Sequence, residues 1–134
     1  EMCRVWADEA EARTTSLDPG LVREGLALFR SLPATAPRTV LLATDLHAGN
    51  VLAAKRESWL AIDPKPHIGD PIYDALQHLL NCERLFTDPA GLSDRMATLT
   101  GVDPSRLRLW LFARCVQEAA GWPALADVAR RLAP

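Results

Sequence analysis

Thr44-Asp45-Leu46-His47-Ala48-Gly49-Asn50, with Ile62-Asp63-Pro64-Lys65-Pro66 beyond it, is the densest polar cluster in a chain of 134 residues. The β-branched and apolar run Thr39-Val40-Leu41-Leu42 leads into it. Asn50-Val51-Leu52-Ala53-Ala54 and Ser58-Trp59-Leu60-Ala61-Ile62 read as two short extended runs, with Lys55-Arg56-Glu57 as the turn between them. One hairpin can therefore aim Asp45, Asn50 and Asp63 at a common space. Hard oxygen donors of this kind suit Mg²⁺, which takes one or two protein carboxylates and completes its shell with phosphate and water. No thiolate lies in the cluster, which disfavours zinc.

On either side of this segment the pattern is helical. Residues 2–15 are predicted as a helix with Val5, Trp6 and Ala10 on one face; it lacks a good N-cap and begins in mid-pattern, as if cut from something longer. Asp18-Pro19 opens a second helix: the carboxylate accepts from orphan amides and proline fits the first helical position. Asp70-Pro71, Asp88-Pro89 and Asp103-Pro104 repeat that start signal, and Trp122-Pro123 opens a last short helix. Ile72, Ala75, Leu76, Leu79 and Leu80 follow helical spacing, as do Leu109, Phe112 and Val116 with Leu107 and Leu111 alongside. Trp59, Trp110 and Phe112 sit at core spacing. The expectation is one mostly α domain over 1–134 with a small β-hairpin, an α+β chain.

Composition narrows the functional classes. Apolar residues at 49% and charged residues at 24% supply one buried core and rule out a disordered chain. A net charge of −2 provides no basic field for a nucleic-acid backbone. No stretch approaches the ~18 consecutive apolar residues of a membrane span, and Glu1-Met2-Cys3-Arg4 does not open a secretory signal. The chain is expected in the cytoplasm, with no nucleic-acid or membrane partner. Cys3, Cys82 and Cys115 show neither disulfide nor zinc spacing and read as small hydrophobes in a reducing compartment. Thirteen arginines stand against two lysines, Lys55 and Lys65, so Lys65 is conspicuous within the cluster.

The spacing then points to a chemistry. Phosphoryl transfer needs an Asp to accept the proton of the acceptor hydroxyl, an Asn for one metal ion, and a later Asp to bridge metal and nucleotide phosphates. The kinase catalytic loop places its Asn five residues after its Asp. Asp45 and Asn50 have that separation, and Asp63 follows a hairpin as the second metal ligand should. Catalysis of this kind is mostly positioning and electrostatic stabilisation, which few residues can supply.

Asp45-Leu46-His47-Ala48-Gly49-Asn50-Val51-Leu52, Ile62-Asp63-Pro64, Gly69-Asp70-Pro71 and Tyr73-Asp74 together resemble the carboxyl lobe of the aminoglycoside phosphotransferases. Asp63-Pro64-Lys65-Pro66 and Gln77-His78-Leu79-Leu80-Asn81-Cys82 are similar to the streptomycin 6-kinase and hydroxyurea phosphotransferase branch of that family. The likeness is firm from about residue 38 to 85. It implies the carboxyl-terminal lobe of a protein-kinase-like fold, with a catalytic loop at 43–50, a metal hairpin at 50–63 and a helical subdomain at 70–134. It further implies ATP as donor, Mg²⁺, and a small-molecule hydroxyl acceptor such as the aminoglycoside streptomycin, hence antibiotic resistance by phosphorylation. Asp45 would be the catalytic base, Asn50 and Asp63 the metal ligands, His47 a brace for the loop, and Asp70 an anchor for the loop backbone as well as a helix cap.

Two departures from the family pattern stand out. The family often carries His-Gly before the catalytic Asp, where this chain has Ala43-Thr44. No Gly-rich loop, strand lysine or helical glutamate partner precedes residue 38, so the N-terminal nucleotide lobe is expected to be a missing partner and the isolated chain nearly inactive. Several readings stay open. Asp45 and Asn50 could be a capped surface turn, and Lys65 could touch a nucleotide phosphate or close an ion pair. Asp74, Gln77, His78 and Asn81 form a ridge that is either a solvated face or the lining of an acceptor pocket. The rival functions are a metallophosphoesterase, whose further histidine blocks this chain lacks, and a non-catalytic helical interaction module or pseudokinase remnant.

Overall fold

A computed structural model describes all 134 residues. In chain order the elements are α1 (Met2–Glu11), α2 (Pro19–Ser31), β1 (Val40–Leu42), β2 (Val51–Ala53), β3 (Trp59–Ala61), β4 (His67–Gly69), α3 (Ile72–Leu80), α4 (Arg84–Thr87), α5 (Pro89–Thr100), α6 (Pro104–Glu118) and α7 (Leu125–Leu132). The chain is mostly helical with small antiparallel sheets, a mixed α+β architecture. No helix is long and apolar enough to cross a membrane. It divides into two units, residues 1–35 with 83–134, and residues 36–82. The helical stretch from 70 onward is split by this division, because α3 belongs with the strands.

The larger unit is built on its Asp-Pro starts. Asp18 accepts from the Gly20 amide at 2.7 Å, Asp88 from Gly91 at 2.9 Å and Asp103 from Arg106 at 2.6 Å, each satisfying an orphan donor in a helix's first turn. α5 ends at Gly101 in the left-handed region, φ 68°, where a residue without Cβ closes the helix without strain. α6 is the central element and packs against α1, α2, α5 and α7. Leu107, Trp110, Leu111, Phe112, Ala113, Cys115 and Val116 are all buried along it, a width of apolar surface that only a surrounded helix can hide. Gly25 lets α2 approach closely: a Cβ there would lie 2.6 Å from Val116 Cβ. Phe29 meets Trp110 edge-to-face, with ring centroids 6.0 Å apart. Arg114, buried in this unit, stacks over Trp6 and pairs with Glu118 at 2.9 Å.

Three expectations are corrected here. α1 stops at Glu11 rather than 15, and it buries Cys3 and Ala7, leaving Val5 half exposed. The i, i+4 pair facing α2 and α6 is thus rotated from the expected one. Trp59 is not core: it is 68% exposed on β3, whereas Trp110 is 1% exposed. The short helix α4 carries no capping residue to announce it. All three cysteines are free; burial pushes the thiols of Cys3 up to about 11 and of Cys115 up to about 12, so both behave as inert hydrophobes.

In the smaller unit the expected hairpin forms as β2 and β3, with Val51 opposite Ala61 and Ala53 opposite Trp59. A second pairing was not foreseen. β1 runs antiparallel to β4, with Val40 opposite Gly69 and Leu42 opposite His67. The hairpin is therefore an insertion between the two strands of another sheet. Both ends of the segment 43–66 are pinned by β1 and β4 and its middle by β2 and β3, so the two connections, 43–50 and 62–66, must run beside each other. α3 then leaves from Asp70, whose buried carboxylate accepts from the Ile72 amide at 3.0 Å, and buries Ile72, Tyr73, Leu76, Leu79 and Leu80.

The two tryptophans separate core from surface in solution. Urea unfolding followed by far-ultraviolet circular dichroism should show Trp110→Ala losing ~3–5 kcal/mol and Trp59→Ala under ~0.5 kcal/mol; equal losses would contradict this packing.

Candidate functional site

The two connections of the smaller unit are joined bond by bond. The Lys65 amide donates to the Ala43 carbonyl at 2.9 Å, and the Thr44 hydroxyl donates to the Lys65 carbonyl at 2.6 Å. From the other side, α3 presents Asp74. One of its carboxylate oxygens accepts from the Ala43 amide at 3.0 Å and the other from the Thr44 amide at 2.7 Å. The peptide before Asp45 is thus held by a carboxylate with both oxygens engaged. Thr44 has φ 57° and Asp63 φ 49°, and these are the only non-glycine residues with positive φ. A β-branched residue in the left-handed region is strained by an amount on the order of 1–3 kcal/mol, and such strain collects at functional sites. A glycine would adopt this backbone without that strain. Here threonine accepts the strain and gains the hydroxyl bond to Lys65 that glycine could not make.

Asp45 follows directly. Its Oδ2 receives the Lys65 ammonium at 2.6 Å, and its Oδ1 lies 3.8 Å from His47 Nε2. The side chain of Asp45 is 22% exposed and that of Lys65 63%. His47 turns its other nitrogen inward, where Nδ1 accepts from the Gly49 amide at 3.1 Å and opens a short 3₁₀ turn over Ala48–Asn50. Asn50 closes the loop by donating Nδ2 to the Asp45 carbonyl at 2.9 Å. With its amide nitrogen so engaged, the oxygen Oδ1 is the atom left for a cation. The Ile62 amide donates to the Asn50 carbonyl at 2.9 Å, extending the β2–β3 pairing by one step and setting Asp63 beside Asn50. Asp63 is exposed, no donor of the chain bonds its carboxylate, and its charge acts on Lys65.

Asp45, Asn50, Asp63, Lys65 and His47 are therefore gathered in one loop cluster, with Asp74 behind it. Of the ridge on α3, Asp74 serves the loop, Asn81 donates to the Gln77 carbonyl at 2.8 Å at the helix end, and Gln77 is half-buried. Sequence reasoning missed the loop-holding role of Asp74. An acidic residue in a helix's first turn already complements the macrodipole, and that ordinary role masks a contact thirty residues upstream.

A metal site made of protein groups alone is absent, since no three His, Cys, Asp or Glu side chains are gathered to hold one. The donors present, Asn50 Oδ1 and the Asp63 carboxylate, are hard and few. They fit a cation that completes its shell with water and phosphate oxygens.

Residues 2–125 match the family described as aminoglycoside/hydroxyurea antibiotic resistance kinase, and the chain belongs to that family. Its members are phosphotransferases. The chain is 45% identical to the hydroxyurea phosphotransferase of Kitasatospora aureofaciens over 84 residues, covering 63% of this chain and 24% of that protein. It is 40% identical to the streptomycin 6-kinase of Streptomyces glaucescens over 93 residues, covering 62% of this chain and 29% of the relative. With the streptomycin 6-kinase of Streptomyces griseus it shares 60% identity over 38 residues, 28% of this chain and 12% of that one. The chain thus spans less than a third of these relatives. No solved structure matches it.

Two measurements test the site's construction. Asp74→Ala should raise the hydrogen-exchange rates of the Ala43 and Thr44 amides at least ~10-fold while leaving α6 protected; unchanged rates would mean that Asp74 does not hold the loop. The Lys65 ammonium beside Asp45 keeps its carboxyl below the usual carboxylate range, against the opposing effect of partial burial. The pairing therefore stabilises the loop at pH above the unfolded carboxylate value of about 3.9, and is lost as pH falls through the lowered value. In Lys65→Met the Asp45 carboxyl should titrate higher by carbon-13 NMR, and an unmoved midpoint would disprove the pairing.

Proposed function

We propose that this chain is the catalytic, carboxyl-terminal lobe of a protein-kinase-like phosphotransferase that moves the γ-phosphoryl group of ATP to a hydroxyl of a small molecule, an aminoglycoside such as streptomycin. What supports the reading is one observation: Asp45, Asn50 and Asp63 stand in a single loop cluster, linked through Asn50 to the Asp45 carbonyl and through Ile62 to the Asn50 carbonyl. The family supplies the reaction class.

In this reading Asp45 is the base. The hydroxyl oxygen of the acceptor bonds to the γ-phosphorus, the bond to the bridging oxygen breaks with its electron pair left on ADP, and the hydroxyl proton passes to the Asp45 carboxylate. The tie from Asp74 and the closure by Asn50 hold that carboxylate in place before substrate arrives, so its orientation is not paid for in the transition state. Asn50 Oδ1 and Asp63 would hold Mg²⁺, which supplies charge neutralisation at the phosphates. His47 braces the loop through Gly49. The Asp70 carboxylate accepts from the Ile72 amide where α3 begins. The partner of this lobe is a nucleotide-covering amino-terminal lobe, and without it the chain would turn over slowly or not at all. The setting is the cytoplasm, where ATP is available.

The test has two arms. In the complete enzyme carrying these residues, Asp45→Asn should lower kcat for streptomycin phosphorylation by at least ~10³-fold, with the melting temperature held. In the chain itself Mg²⁺ should raise the melting temperature, and Asp63→Ala should abolish that rise. Turnover that survives Asp45→Asn would refute the assignment of the base.

A further inference from the structure

The Lys65–Asp45 pair, 2.6 Å between Nζ and Oδ2, sets an ammonium directly beside the base while leaving Oδ1 to accept the proton of an incoming hydroxyl. Either the pair is a structural tie only, or the ammonium also serves the phosphoryl group that reacts beside the base.

Three observations favour the second. The backbone of Lys65 is fixed at both ends, its amide on the Ala43 carbonyl and its carbonyl under the Thr44 hydroxyl, while its side chain is 63% exposed. Pro64 and Pro66 flank it and narrow its backbone further. A rigid base thus carries a free-swinging four-carbon stem directly beside the site. Thr44 holds a left-handed backbone, φ 57°, while making the bond that fixes Lys65, so the placement is built into the loop at a conformational cost. Finally, the chain uses arginine for thirteen of its fifteen cations, yet a lysine stands here. A guanidinium would lock onto a carboxylate through two parallel bonds, whereas an ammonium is a compact point charge that can exchange one anionic partner for another.

We propose that Lys65 is a catalytic residue of the transfer reaction: its ammonium, paired with Asp45 Oδ2, reaches the non-bridging oxygens of the phosphoryl group in transit. The proposal rests on the phosphotransferase reading of this site. As the new bond to phosphorus forms and the bridging bond breaks, Lys65 stays protonated and neutralises charge on the equatorial oxygens. The hydroxyl proton passes to Asp45 Oδ1, the oxygen that does not carry the ammonium.

The experiment compares wild type, Asp45→Asn, Lys65→Met and Lys65→Arg in the complete phosphotransferase, with Mg²⁺ and ATP as donor system and streptomycin and hydroxyurea as acceptors. Lys65→Met should lower kcat roughly 100-fold, the loss typical of removing one electrostatic contact to a transition state. KM for ATP and acceptor should stay within about threefold, the pattern of an interaction made only in the transition state. Its melting temperature should match wild type within a few degrees, and Lys65→Arg, whose guanidinium would stay locked on Asp45, should recover less than about a tenth of the lost rate. A Lys65→Met enzyme with kcat within about twofold of wild type, while Asp45→Asn is inactive, overturns the role of Lys65 alone. Asp45→Asn turning over like wild type overturns the phosphotransferase reading of the site, and the role of Lys65 with it.

Discussion

The amides of Ala43 and Thr44 both end on the carboxylate of Asp74, and the chemical face of residues 36–82 is organised around that tie. It draws the start of the loop onto the first turn of α3 and holds Thr44 in a backbone region that threonine seldom adopts. The direction of the Asp45 side chain follows from this turn. An Asp74 lacking one oxygen bond would leave an amide without a partner in a half-buried place, so the penalty for a misplaced loop is that of an unsatisfied donor, about 1–3 kcal/mol. That penalty offsets the strain at Thr44, and the further bonds from the Thr44 hydroxyl and the Lys65 amide tip the balance toward the observed shape. The hydroxyl of Thr44 and the amide of Lys65 then pass the same constraint to the opposite connection, which ends at Asp63.

Local chemistry made much of the helical content readable in advance. An Asp-Pro pair states both where a helix begins and which group caps it, and Asp18, Asp88 and Asp103 do this with bonds of 2.6–2.9 Å. The β2–β3 hairpin was legible for a similar reason, since its strands are separated by a short polar turn. The β1–β4 pairing was not. His67-Ile68-Gly69 is three residues long, follows a proline and alternates weakly, and its pairing partners lie 25 or more residues away. Nothing local specifies such a strand; only the closure of the loop around the inserted hairpin does. Trp59 failed for a related reason: in a two-stranded ribbon no second layer of this unit is obliged to cover the side chain, so periodicity does not imply burial.

The candidate site divides along the same line. Asp45 and Asn50 are close in sequence, so their spacing singled them out together, although the bond from Asn50 Nδ2 to the Asp45 carbonyl was not foreseen. Lys65 and Asp74 lie 20 and about 30 residues from their partners, and neither bond can be read from spacing. Compositional contrast drew notice to Lys65, a lysine among arginines, but left its partner open. Asp74 had no such marker. Its functional bond is hidden behind an ordinary helical role.

Electrostatics connects these residues to the family's reaction. Asp45 and Asp63 carry two negative charges against the single positive charge of Lys65, so the cluster by itself is anionic. A polyphosphate approaching it unaccompanied would be repelled; one approaching with a divalent cation would not, because the cation reverses the sign of the local field. Within the cluster it is the Lys65 ammonium, 2.6 Å from Asp45 Oδ2, that offsets part of this excess. In the proposed reaction a phosphoryl group arriving with its metal would change both conditions at once: Asp63 would be neutralised by the cation, and the phosphoryl oxygens would share the lysine with Asp45. A guanidinium in place of Lys65 would hold Asp45 through two parallel bonds and would be less free to serve the phosphoryl oxygens.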